Sequence, residues 1–89
     1  SLGERARMRA QLDETHQWPC DFMFKFIVPK GNENEAALRA IFGLTSKMKM
    51  RESSTGKYKS FTILDSVKSA DAVFDRYEAA AKIPGIIAL

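Results

Sequence analysis

With 89 residues, 45% of them hydrophobic, and a net charge of +3, the chain has material for one hydrophobic core and not for two. Its single cysteine, Cys20, excludes an internal disulfide framework, and the lack of an apolar run of about 20 residues excludes a membrane-spanning helix. The stretch Ser1 to Leu12 is charged and holds no apolar segment of the signal-peptide kind, so the expectation is a cytoplasmic protein with no membrane partner.

Residues 2–16 place Arg5, Arg7, Arg9, Asp13 and Glu14 around Ala6, Met8, Ala10 and Leu12, a weakly amphipathic, helix-favouring stretch that either frays or docks. Trp18 and Pro19 break it, since proline disfavours the helical region for the residue before it. Phe22, Phe24, Phe26 and Val28 then alternate with Met23, Lys25 and Ile27, which predicts a strand with one strongly apolar face. Pro29, Lys30 and Gly31 end it. Asn32, with Glu35 three residues on, resembles a capping box and predicts a helix over residues 33–42, with Ala37, Leu38, Ile41 and Phe42 as its buried stripe. Gly43 is placed to stop that helix in the left-handed conformation.

Met48 and Met50 alternate with Lys47, Lys49 and Arg51, the pattern of a lysine-blunted edge strand solvated on one face. A turn over Ser53, Ser54, Thr55 and Gly56 leads into a return strand over residues 57–65, with Phe61 and Ile63 toward the helices and Tyr58, Ser60, Thr62 and Leu64 on the other side. Ser69 caps a second helix over residues 70–82, with Val73, Phe74, Tyr77, Ala80 and Ala81 along one side. Ile83, Pro84 and Gly85 turn the chain into a last apolar strand, residues 86–89. Residues 47–59 carry five cations against Glu52 alone, a local balance of +4 against −1 for the rest of the chain. Positive potential thus gathers on one hairpin.

Two helices over one face of a four-stranded antiparallel sheet bury every apolar stripe at once. The expectation is an α+β fold of the ferredoxin-like βαββαβ kind, a two-layer sandwich over residues 18–89, preceded by a partly helical N-terminal extension over residues 1–17. The heaviest apolar loads lie on the first and third strands, which places these two centrally.

Trp18-Pro19-Cys20-Asp21-Phe22, Phe24-Lys25, the run Ser53-Ser54-Thr55-Gly56-Lys57-Tyr58 and Ile83-Pro84-Gly85, in this order, resemble the YbeD-like family of small bacterial proteins. That family is a domain-of-unknown-function family whose members look like ACT-type regulatory domains. The resemblance covers residues 18–89. It implies a regulatory, ligand-sensing or interaction role without an established activity.

Three surfaces are candidates for function. The ACT likeness points to the junction Pro29, Lys30, Gly31 and Asn32 as a site for a small effector such as an amino acid, because a helix N-terminus favours a carboxylate. The bland alternative there is a turn with a helix cap. The second candidate is the uncovered sheet face with its hairpin, where Lys25, Lys47, Lys49, Arg51, Lys57, Tyr58 and Lys59 form an interaction or anion-binding surface. Single-stranded nucleic acid is one possible partner, although Gly56-Lys57-Tyr58 and Phe61 break the aromatic spacing of an RNA-recognition strand and put Tyr58 and Phe61 on opposite faces. The third is a protein contact or self-association through Met23, Ile27, Tyr58 and Leu64.

His16 and Cys20, four residues apart, have the composition of a dyad or of half a metal site, but no third soft ligand accompanies them. They read instead as a solvent-facing histidine and a small residue packed beside the first strand. Asp71, Asp75 and Glu78 share a helix face and read as solvated charges. The sequence therefore predicts a non-enzymatic module with no metal and no cofactor, bound to a protein partner or to itself, with single-stranded nucleic acid the runner-up.

Overall fold

The computed structural model describes residues 2–89. Strand β1, Cys20–Pro29, and strand β3, Tyr58–Val67, pair antiparallel along all ten residues of each, with Phe24 opposite Ile63 and Phe26 opposite Phe61. β2, Lys47–Glu52, lies on the far side of β3, and the short β4, Ile87–Ala88, lies beside β1. The sheet order is β2-β3-β1-β4, all antiparallel, so the two most apolar strands are central as their composition predicts.

Alternation along the strands sets what the sheet buries. Phe24, Phe26, Val28, Phe61, Ile63 and Val67 point to one face and are buried there, beneath α2, Asn32–Ile41, and α3, Ala70–Ala80. Each of the three phenylalanines contributes about 2–3 kcal/mol by leaving water. The Phe24 ring meets Phe42 edge-on at 5.1 Å between centroids and Tyr77 at 5.3 Å, so the aromatic centre of the core joins β1 to both helical segments. The result is the expected ferredoxin-like sandwich, with two helices on one face of an open sheet.

Helix ends show where local sequence rules meet tertiary demands. Ser69 caps α3 as predicted, its hydroxyl accepting from the Ala72 N–H at 3.1 Å. At α2 the cap is Gly31, with no side-chain hydrogen bond, so the capping box read from Asn32 and Glu35 does not form. Glu35 is drawn instead to Lys59 on β3. Gly43 is not left-handed either; among the described residues only Gly56 and Gly85 occupy the left-handed region. The chain leaves α2 one residue earlier, through Phe42 in an extended conformation, which drops its ring into the aromatic cluster. α3 stops at Ala80, and Ala81, expected on the buried stripe, is exposed.

The N-terminal extension docks. Helix α1, Leu2–Thr15, lies against α3: Arg9 donates from Nε and Nη2 to Asp71 Oδ1 at 3.2 and 2.8 Å, Arg5 pairs with Glu78, and the Arg5 guanidinium sits 4.9 Å from the Phe74 ring centre. Asp71 and Glu78, read from sequence as solvated charges, are thus the seat of α1. After it the Trp18–Pro19 peptide is cis. His16 is half-buried rather than solvent-facing, stacked on Trp18 at 5.2 Å with Phe22 behind it, because the reversal between α1 and β1 folds these rings together.

Candidate functional site

The uncovered sheet face is built by register. Lys47 lies opposite Leu64, which faces Met23; Lys49 lies opposite Thr62, which faces Lys25; Arg51 lies opposite Ser60, which faces Ile27 and then Ile87. Three cations of β2 and one of β1 thus border a centre of Leu64, Met23, Ile27, Thr62 and Ser60. Lys25, Lys49, Arg51, Ser60 and Thr62 line a shallow depression of about 440 Å³. No carboxylate lies within ion-pair distance of Lys25, Lys47, Lys49 or Arg51 among the described residues, so their charge is uncompensated. Tyr58 is exposed at the far corner of this face, opposite Pro29.

Two of the cations expected on this surface are elsewhere. Lys59 stands in phase with Phe61 and Ile63, on the helix side of β3, where its Nζ donates to both Glu35 carboxylate oxygens at 2.9 and 3.0 Å. Both side chains are mostly buried, so Lys59 is a tether between β3 and α2. Composition alone reads the hairpin's charge as one patch; strand alternation divides it between two faces. Lys57 precedes β3, exposed in the turn, with its carbonyl accepting from the Lys30 N–H at 2.9 Å.

At the β1–α2 junction two carbonyls and the Lys30 ammonium already have partners. The Pro29 carbonyl accepts from Asn34 Nδ2 at 3.1 Å, and the Gly31 carbonyl accepts from the Glu35 N–H at 3.1 Å. Lys30 pairs with Glu52; the hydrogen bond and the attraction between them raise the lysine's pKa and lower the glutamate's. Asn32 is the first residue of α2, and Glu33 and Glu35 follow in the first turn. Those acids offset the positive end of the helix dipole toward which an incoming carboxylate would be drawn.

His16 Nδ1 lies 3.0 Å from the Leu12 carbonyl and 2.9 Å from Thr15 Oγ1, within its own turn, and Cys20 is half-buried at the start of β1. Among the described residues no three His, Cys, Asp or Glu side chains gather as metal ligands, and no helix is long and apolar enough to cross a membrane.

Sequence reasoning missed two features. Asp65 is buried on the helix face of β3, where Arg76 meets it. Its phase with Phe61, Ile63 and Val67 is visible in the sequence, but a strand expected to end at Asp65 hid that phase. The other is a groove of about 1050 Å³ between α1 and α3, reaching Phe22 and Leu89. It is made by a docking that helix periodicity alone does not specify.

Neither a curated protein nor a solved structure matches the chain. A family model does, along residues 13–89, from the end of α1 through β4. The chain therefore belongs to the family described as a protein of unknown function, DUF493, the family of the YbeD-like proteins it resembles.

Proposed function

We propose that this domain is a non-enzymatic interaction module whose open sheet face receives an acidic surface or segment of a partner protein. The observation that carries this is the cluster of Lys25, Lys47, Lys49 and Arg51, which lack ion-pair partners among the described residues, around an apolar strip of Met23, Ile27 and Leu64. A mixed face of this kind combines the steering of like charges with apolar area to bury, as protein interfaces do. Single-stranded nucleic acid suits it less: binding without sequence reading depends on stacked aromatics, and among the described residues Tyr58 is the one aromatic on this face. The regulatory character implied by the family resemblance and the cytoplasmic setting expected from composition belong to the same proposal.

The test is affinity capture from lysate with the domain and with a Lys25→Glu/Lys49→Glu variant, followed by titration of any captured partner at increasing salt. A partner whose acidic surface is lost to the variant, with affinity falling as salt rises, supports the reading. Equal capture by both forms overturns it. Retention of oligonucleotides in preference to proteins would replace it with nucleic-acid binding.

A further inference from the structure

Two cross-strand rows cross the depression on the open face. In one, Thr62 stands between Lys49 and Lys25; in the next, Ser60 stands between Arg51 and Ile27. Lys49 and Lys25 are two strand spacings apart, about 10 Å, and Arg51 is about 7 Å from Lys49 along β2. Lys25, Lys49, Arg51, Ser60 and Thr62 all line the same hollow of about 440 Å³, so the three cations border one space. Their side chains are long enough to close that span over Thr62.

Among the described residues nothing offsets this charge. The carboxylate that β1 carries on the same face is Asp21, four residues from Lys25. That is about 13 Å along the strand, beyond the screening length of about 8 Å at physiological salt. Glu52, the acid of β2, has the opposite phase and pairs with Lys30. The Thr62 hydroxyl, half-buried between the two lysines, makes no hydrogen bond with a described residue, whereas the Ser60 hydroxyl donates to the Arg51 carbonyl at 3.4 Å. The hollow thus offers three positive charges and a hydroxyl donor to one incoming group. A carboxylate, with a single charge and two oxygens, satisfies only part of that set. A phosphoryl group on serine or threonine brings a charge of about −1.5 to −2 and three acceptor oxygens, and its bonds from Lys and Arg are charge-assisted at both ends.

We propose that this hollow receives the phosphoryl group of a phosphorylated serine or threonine on the partner segment. The inference rests on the function proposed above and names the chemistry of that partner. Lys25 and Lys49 donate from either side, Arg51 from the adjoining row, and the Thr62 hydroxyl from beneath. Leu64 and Met23 form the next row on one side of Thr62, and Ile27 and Ile87 extend the Ser60 row on the other. Residues two places before and after the phosphorylated one share its face in an extended segment, so they meet these side chains and are apolar.

The probe is a blocked peptide, Gly-Leu-Gly-phosphoserine-Gly-Leu-Gly, compared with the same peptide carrying Glu at its centre and with inorganic phosphate. Each is titrated into the full chain at fixed salt and read by NMR shifts of the Lys25, Lys49, Ser60 and Thr62 amides. The phosphopeptide is expected to saturate these shifts with an affinity about tenfold or more above that of the Glu peptide. That affinity falls about fourfold from about pH 7.5 to about pH 5.5, as the phosphoryl group loses its second charge near pH 6. The Glu peptide keeps its charge across that range and changes little. Thr62→Val, which removes the hydroxyl and keeps the shape, weakens the phosphopeptide by about fivefold, and Lys25→Gln/Lys49→Gln abolishes its advantage over the Glu peptide. A Glu peptide bound as tightly as the phosphopeptide overturns this inference and upholds the acidic-partner reading beneath it. Inorganic phosphate bound as tightly as the phosphopeptide overturns it in favour of a site for free phosphate. Unshifted amides with excess phosphopeptide overturn it outright, and capture from lysate then judges the broader reading by itself.

Discussion

Arg76 on α3 donates from Nε to Asp65 Oδ2 on β3 at 3.1 Å, with the aspartate side chain 4% exposed and the arginine 24%. The arginine also donates from Nη1 to the Ala72 carbonyl of its own helix at 3.0 Å. A long contact of 3.5 Å from the Gly43 N–H reaches the same carboxylate oxygen. One buried charge thus ties β3, α3 and the loop after α2 together.

Removing one partner leaves the other charge buried without compensation, which is costlier than the pair's own net worth. Asp65→Ala is expected to lower unfolding free energy by about 3 kcal/mol, measured by urea denaturation. The double variant Asp65→Leu/Arg76→Met recovers most of that loss. A double variant as unstable as the single one would contradict this account.

Lys59→Ala, which strands Glu35 in a mostly buried position, is expected to cost about 1–2 kcal/mol. Lys49→Ala, on the open face with no ion-pair partner among the described residues, is expected within about 0.5 kcal/mol of the parent. The contrast in chemical denaturation checks that one hairpin's lysines serve two different faces.

Gly85 has φ +74°, and a Cβ there would lie 2.8 Å from Pro29 Cγ. Gly56 has φ +72° with open space around it. Gly56→Ala therefore costs about 1 kcal/mol for backbone strain alone. Gly85→Ala costs more, by roughly 1–2 kcal/mol for displacing the proline ring. Thermal unfolding of the two variants measures the difference.

The docking of α1 depends on pH and salt. The Asp71 pKa is held below its ordinary 3.8, chiefly by the hydrogen bond from Arg9, despite partial loss of solvent. A lowered carboxylate pKa means the favourable contribution is complete above the unfolded value and is lost as pH falls through the folded one. Amide exchange in α1, taken relative to the intrinsic rate at each pH, is thus expected to be slow at neutral pH and to accelerate below about pH 4. High salt is expected to accelerate it at pH 7 as well, since these ion pairs are exposed. Arg9→Ala produces the same loosening at neutral pH and leaves the β1–β3 amides unaffected.

Alternation with period two was enough to settle the faces of β1, from Phe22 to Val28, and of β3, from Phe61 to Ile63. It also set which strands are central, because the number of apolar side chains a strand carries decides how much cover it needs. Ser69 was legible for a similar reason, since its cap reaches only three residues along the chain. The fate of the charges was not. Arg76 finds Asp65 across 11 residues, Lys59 finds Glu35 across 24, and Arg9 finds Asp71 across 62. Such partners are chosen by the packing of whole elements, so tertiary structure alone separated the cations that hold the fold together from Lys25, Lys47, Lys49 and Arg51, which face outward. The groove under α1 arose the same way, since a weakly patterned helix takes its position from the surface it docks on.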